Sequence, residues 1–264
     1  MAGQERKGEV FRRLHEGEAF VIPNPWDIGA ARVLQALGFR ALATTSSGFA
    51  FTLGRLDGGA TLDEVAEHVA SVAAATEVPL SVDLENGYGA SPEVAAEAIR
   101  RAAGAGAVGG SIEDWDAETG LYSHGHASER IAAACEAARG LGFPFMLTAR
   151  AENHIRGNPD LDDTIARLQA YEEAGADVLF APGLRSGEEI RAVCGAVSRP
   201  VNVLAHSGLT MREIVEAGAR RISVGGALTW AAVEAMARAA ERIRDDGDFS
   251  GLAPAARVRE WLGA

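Results

Sequence analysis

A helix, a glycine and a short apolar run ending in polar residues recur along this chain, and that repeat restricts the fold more than any other feature. The unit appears as Leu37-Gly38-Phe39 before residues 40–45, and as Ala103-Gly104-Ala105 before 108–113. It returns as Ala174-Gly175-Ala176 before 177–181 and as Ala217-Gly218-Ala219 before 220–224. Glycine just past a helix end takes the left-handed conformation that stops the helix, so each unit reads as a turn from helix into strand. Three more runs follow a proline instead: 80–84 after Pro79, 145–149 after Pro144 and 201–205 after Pro200. With 19–23 at the start, eight apolar runs alternate with helical stretches, two of which begin at the N-caps Thr61 and Ser91. Eight βα units in 264 residues predict a (β/α)8 TIM barrel, a fold that typically needs about 250 residues. An open doubly wound sheet usually carries a glycine-rich turn after its first strand; here that turn is Pro23-Asn24-Pro25-Trp26-Asp27.

No linker or low-complexity tract divides the chain, so residues 1–264 are expected to form one domain. In it, 8–226 carry the barrel and 227–264 its C-terminal helices. The formal net charge of −12 argues against nucleic acid or an anionic membrane as the main partner. Met1 to His15 is charged and lacks an apolar run, and no stretch approaches about 18 apolar residues; a reduced cytoplasm is the expected compartment. Cys135 and Cys194, each in an alanine-rich helical stretch, are too few for a disulfide framework or a zinc site and read as small packed residues.

In a TIM barrel, chemistry sits where the strands end, so the strand ends form one surface. Asp83, Glu85, Glu113 and Asp114 come from two neighbouring strands, with Arg150 on the next. Crowded carboxylates repel unless a cation offsets them, and hard oxygen ligands suit Mg²⁺ or Mn²⁺. Arg150 closes an apolar strand, and a buried arginine needs anionic partners: nearby acids, an anionic substrate, or both. Ser46-Ser47-Gly48 offers hydroxyls and unhindered N–H groups for a carboxylate or phosphate, or is an ordinary polar turn. Gly225-Gly226 reads equally as a phosphate cradle or as tight strand-to-helix packing. His124 and His126 lie in the segment 119–128, read either as a loop able to close over the site or as exposed loop with incidental histidines.

These residues, taken in order, resemble the isocitrate lyase/phosphoenolpyruvate mutase superfamily. The resemblance runs through Pro23-Asn24-Pro25-Trp26-Asp27, Ser46-Ser47-Gly48, Asp57 before Thr61-Leu62, Asp83-Leu84-Glu85-Asn86-Gly87-Tyr88-Gly89, Ile112-Glu113-Asp114, Thr148-Ala149-Arg150, Asn202-Val203 and Ala217-Gly218-Ala219-Arg220-Arg221-Ile222-Ser223, covering residues 8 to about 245. Glu85 stands where many members have aspartate, one methylene longer with the same charge. The resemblance implies a Mg²⁺-dependent barrel, usually tetrameric, whose last helix is often exchanged with a neighbouring subunit. It places Asp57, Asp83, Glu85 and Glu113 around Mg²⁺, with Asp83 the direct ligand. Ser46, Ser47 and Gly48 would hold the carboxylate of a 2-oxo acid, Asn202 joins the substrate-binding set, and Arg150 would stabilise an enolate oxygen.

The departures narrow the chemistry. Cysteine-using lyases of the superfamily carry Lys-Lys-Cys-Gly-His after the fourth strand, and phosphonate enzymes usually place a lysine there. Residues 115–126 contain neither cysteine nor lysine. Tyr122, Ser123, His124 and His126 remain as acids or bases, so the expected catalytic set is Arg150, Asp57, Tyr122 and His124. The leading expectation is a Mg²⁺-dependent lyase or decarboxylase that cleaves a C–C bond in a small 2-oxo or 2-hydroxy carboxylate. C–P bond chemistry, a catalytically inactive carboxylate-binding protein and an unrelated phosphate-binding isomerase are the alternatives. A homo-oligomer, tetramer or dimer, is expected.

Overall fold

The computed structural model describes residues 2–263. Eight parallel strands form one sheet: β1 (Phe20–Ile22), β2 (Leu42–Ala43), β3 (Leu80–Asp83), β4 (Gly109–Glu113), β5 (Met146–Arg150), β6 (Val178–Phe180), β7 (Val201–Leu204) and β8 (Arg221–Ser223). Around the sheet the order is β1-β8-β7-β6-β5-β4-β3-β2. The ends of that order meet where the Ala43 N–H donates to the Pro23 carbonyl at 3.1 Å, so the sheet curls into a nearly closed (β/α)8 barrel. All eight predicted runs are strands, each within about two residues of its expected bounds.

The glycine punctuation works as predicted at three of its four sites. Gly38, Gly175 and Gly218 have φ of 89°, 102° and 109°. At the fourth, the helix Pro92–Gly104 runs through Gly104 and the left-handed residue is Gly106, at φ 104°. Both glycines lie in one small-residue stretch, and the helix ends where a left-handed residue is needed to turn into β4. Thr61 and Ser91 cap their helices, Thr61 in a reciprocal box with Glu64. Cys135 and Cys194 are free and helical, as expected.

The N-terminal helix α1 (Ala2–Glu16) closes the bottom of the barrel. Phe11 and Leu14 pack with Phe20, Val108, Met146 and Val178 in a small apolar cluster of their own. A larger core fills the layer between sheet and helices, built from residues such as Leu80, Ile99, Leu147, Leu168 and Leu179. The last helix (Ala256–Gly263) lies against Ile28–Ala36 of the same chain, where Arg32 Nη2 donates to the Leu262 carbonyl at 2.6 Å. Among the described residues no helix is long and apolar enough to cross a membrane.

Candidate active site

A cavity of about 210 Å³ opens at the C-terminal ends of the strands. Its two sides differ in chemistry. Ser46, Ser47, Asp57, Asp83, Ser111 and Arg150 line the arc from β2 to β5, whereas Phe180, Pro182 and Leu204, with Asn202, line the arc of β6 and β7. Phe180 is the register partner of Arg150 on the adjacent strand and its ring centre lies 5.4 Å from the guanidinium, so the charged wall runs directly into a short apolar wall.

Asp83, the last residue of β3, is the hub of the charged wall. Its Oδ2 accepts the Ser46 N–H at 3.2 Å, and its Oδ1 accepts Arg150 Nη1 at 2.9 Å and the Ser111 hydroxyl at 3.4 Å. Ser46 and Ser47 open the short helix Ser46–Thr52, capped by Thr45, so they form a helical first turn rather than a free nest. Both border the cavity; Gly48 does not. A Cβ on Gly48 would sit 2.6 Å from Thr45 Cγ2 and 2.9 Å from Trp26 Cβ, so glycine is there for close packing. At Val224 and Gly225 the backbone N–H groups donate to Asn24 Oδ1, each at 2.9 Å, and the Gly226 Cα lies against Trp230 and Ser47. Those contacts favour packing over the phosphate cradle.

Arg150 stands among three carboxylates. Nη2 reaches Glu113 Oε2 at 2.9 Å and Glu152 Oε1 at 2.8 Å, while Nη1 holds Asp83. Burial works against its charge, but Glu113, Glu152 and Asp83 outweigh it and hold the guanidinium's pKa well above its usual value. Glu113 is buried, which pushes its carboxyl well up against the pull of Arg150. Arg156 adds a second cation, 3.1 Å from Glu152 Oε2 and 3.5 Å from Glu113 Oε1, stacked over the Trp115 ring at 3.5 Å.

The turn after β3 is strained. Glu85 and Tyr88 adopt φ of 50° and 66°, unusual for residues with a Cβ. Arg130, only 1% exposed, holds the turn by donating to the carbonyls of Asn86, Gly89 and Glu113, the last two at 2.8 and 3.2 Å. Glu85 is thereby fixed behind Asp83, within reach of the Tyr88 hydroxyl at 3.3 Å. Burial, then Asp83 and Asp57, push its carboxyl up to about 7. Asp57 is exposed at the cavity rim.

Five carboxylates (Asp57, Asp83, Glu85, Glu113, Glu152) thus face two guanidiniums, Arg150 and Arg156. Among the described residues, no three His, Cys, Asp or Glu side chains form a ready metal cluster. Of the four acids expected around the metal, Asp83 and Asp57 border the cavity, and Glu85 and Glu113 stand behind it. This donor set fits Mg²⁺, which keeps several waters and takes one or two direct carboxylates, better than an ion needing a full protein cage.

The expected loop acids lie elsewhere. Residues 115–116 and 120–121 form a small hairpin, and Ser123 caps the helix His124–Arg139, so 119–128 is not a free loop. Tyr122 is buried, its hydroxyl near Asn86 at 3.2 Å and Asp116 at 3.4 Å. His124 Nε2 lies 2.6 Å from Asp163, and His126 Nε2 lies 2.8 Å from the Ala90 carbonyl. None of the three borders the cavity. Asn202 does, but its amide is engaged by Ser223 at 2.9 Å and Arg221 at 2.8 Å. Sequence reasoning missed Arg130 and Arg156 and gave no role to Arg221.

The chain matches the phosphoenolpyruvate phosphomutase family over residues 11–244. A crystal structure from Burkholderia cenocepacia J2315, provisionally assigned as a lyase/mutase, superposes with a TM-score of 0.96 at 50% identity, covering 100% of this chain and 98% of that one. An uncharacterized protein of Mycobacterium tuberculosis is 31% identical over 94% of this chain and 93% of its own length. An oxaloacetate decarboxylase of Rhodopseudomonas palustris is also 31% identical, over 97% of this chain and 91% of its own. With the barrel and its acid-ringed arginine, these matches show that the chain belongs to the phosphoenolpyruvate phosphomutase family, within the isocitrate lyase/PEP mutase superfamily.

Proposed function

We propose that this chain is a Mg²⁺-dependent carbon–carbon lyase or decarboxylase acting on a small 2-oxo or 2-hydroxy carboxylate. The observation that carries this reading is Arg150, fixed at the charged wall by Asp83, Glu113 and Glu152. Asp83, with Glu85, Glu113 and Asp57 around it, would hold Mg²⁺ (or Mn²⁺), which would supply a Lewis acid for negative charge on the substrate's oxygens. Arg150, held by Asp83, Glu113 and Glu152, would stabilise charge that develops on the 2-oxygen as the C–C bond breaks. Ser46 and Ser47 hold the substrate carboxylate, and Asn202 contributes from β7.

Decarboxylation fits this cavity better than reactions needing a dedicated loop acid. Tyr122 and His124 do not border the cavity, and loss of CO2 needs no proton donor at the departing carbon. The apolar wall of Phe180, Pro182 and Leu204 also favours a departing carboxylate that becomes neutral. The similarity to an oxaloacetate decarboxylase supports the same choice. Product analysis with Mg²⁺ over a panel of oxaloacetate, 2-hydroxy dicarboxylates and phosphonopyruvate tests it. Pyruvate and CO2 from oxaloacetate support the reading, whereas turnover of phosphonopyruvate alone would replace it with C–P chemistry, and turnover of none would leave a carboxylate-binding protein.

Exposed apolar side chains near the C-terminus, Trp230 and Met236 on the helix Ala227–Asp246 and Phe249 and Leu252 in the segment after it, support a homo-oligomer. Light scattering after size exclusion tests it, with a monomer as the contrary result.

A further inference from the structure

Arg221 is a cation buried without an anion. It lies on β8, 5% exposed, and its side chain crosses the barrel interior to β5. Every group around it is neutral. Nε donates to Asn202 Oδ1 on β7 at 2.8 Å, and Nη2 donates to Thr148 Oγ1 on β5 at 2.9 Å. From α1 below, His15 Nε2 lies 3.5 Å from Nη1. The Nδ1 of that histidine sits 2.8 Å from the Phe11 carbonyl and is therefore its N–H donor, which leaves Nε2 as a neutral acceptor. Burial, followed by Arg221, pushes the His15 pKa down to about 3, in keeping with an uncharged ring. Among the described residues no carboxylate pairs with Arg221, and burial lowers its own pKa to about 9.

A guanidinium has five N–H donors, and three acceptors leave two of them unused. An unpaired buried charge is among the more costly features a core can carry. Beneath Arg221 lie His15 and the apolar cluster of Phe11, Phe20 and Met146. The open side is the cavity, which Arg221 borders together with Ser81, Asn202 and Ser223. We propose that Arg221 is the cation of a metal-independent carboxylate subsite on the cavity floor, filled by a carboxylate of the bound substrate or product. The proposal rests on the cavity's being the substrate site, but not on the reaction performed there.

The test is thermal denaturation of the full chain in EDTA with increasing oxalate, compared with chloride and phosphate at matched ionic strength. Oxalate is expected to raise the wild-type midpoint by several degrees, and chloride and phosphate to do much less. Arg221→Met, of similar length and uncharged, should weaken apparent oxalate affinity at least tenfold. Should that variant not fold, Arg221→Lys keeps the charge and is expected to retain oxalate affinity within about threefold. No oxalate effect on the wild type in EDTA, equal effects of all three anions, unchanged affinity in Arg221→Met, or tenfold loss in a folded Arg221→Lys would each overturn the assignment. Turnover does not enter the readout. A protein that binds oxalate through Arg221 but cleaves no 2-oxo acid retains this subsite and loses the lyase reading, and the reverse result does the opposite.

Discussion

Replacing Arg130 by Met should loosen the turn that carries Glu85, although residue 130 lies more than forty positions along the chain. The side chain donates to three backbone carbonyls, those of Asn86, Gly89 and Glu113, and its guanidinium lies 4.7 Å from the centre of the Tyr122 ring. Methionine fills much of the same volume but donates nothing. Each buried carbonyl left without a donor costs about 1–3 kcal/mol. Water entry and relief from burying a charge return part of the total, so a net loss of about 3 kcal/mol is expected. At about 2–4 °C per kcal/mol for a chain near this size, the midpoint should fall by roughly 6–12 °C. The strained φ values at Glu85 and Tyr88 relax once the turn is no longer held, so Mg²⁺ affinity, read by calorimetry, should fall together with stability. A variant within about 1 °C of wild type that binds Mg²⁺ as tightly would refute the claim that Arg130 holds this turn.

Arg150→Ala should lower kcat by about 10²–10³-fold and raise KM far less in steady-state kinetics, because the side chain acts on charge that develops in the transition state. Gly48→Ala should destabilise by about 1–3 kcal/mol in urea titrations, since its Cβ would meet Thr45 Cγ2 at 2.6 Å and Thr229 Oγ1 at 2.7 Å. His15 has a folded-state pKa of about 3 against an ordinary 6.5, so the folded protein favours the neutral ring. Its contribution is complete above pH 6.5 and falls by about 1.4 kcal/mol per pH unit on acidification toward pH 3. His15→Phe should therefore flatten the pH dependence of unfolding between pH 6 and 4, and an unchanged slope would contradict the assignment.

The barrel was legible because its signals are local. Gly38, Gly175 and Gly218 mark helix ends through their own backbone preference, and Pro79, Pro144 and Pro200 sit just ahead of strands. The displacement from Gly104 to Gly106 shows the limit of that logic: two nearby glycines can both end a helix, and only packing selects one. The acids and Arg150 were legible because strand ends converge in this fold. The roles of Arg130, Arg156 and Arg221 were not, since a buried arginine and a surface arginine look alike in sequence. Arg130 acts on Asn86, and Arg221 on Thr148, across distances in the chain that no local pattern encodes. One signal for Arg221 was available: it shares the alternation of Ser223, which places both on the inward face of β8. The segment 119–128 looked like a loop because of its glycines, but the Ser123 hydroxyl accepting the His126 N–H starts a helix there.

Release of pyruvate from oxaloacetate, followed in EDTA and again after Mg²⁺ is added back, tests the central claim most directly. The account predicts turnover above the uncatalysed rate with Mg²⁺, its loss in EDTA, its return on re-addition, and no return in Asp83→Asn, whose carboxylate is the proposed direct ligand. Turnover undiminished by EDTA, or fully retained in Asp83→Asn, would contradict it.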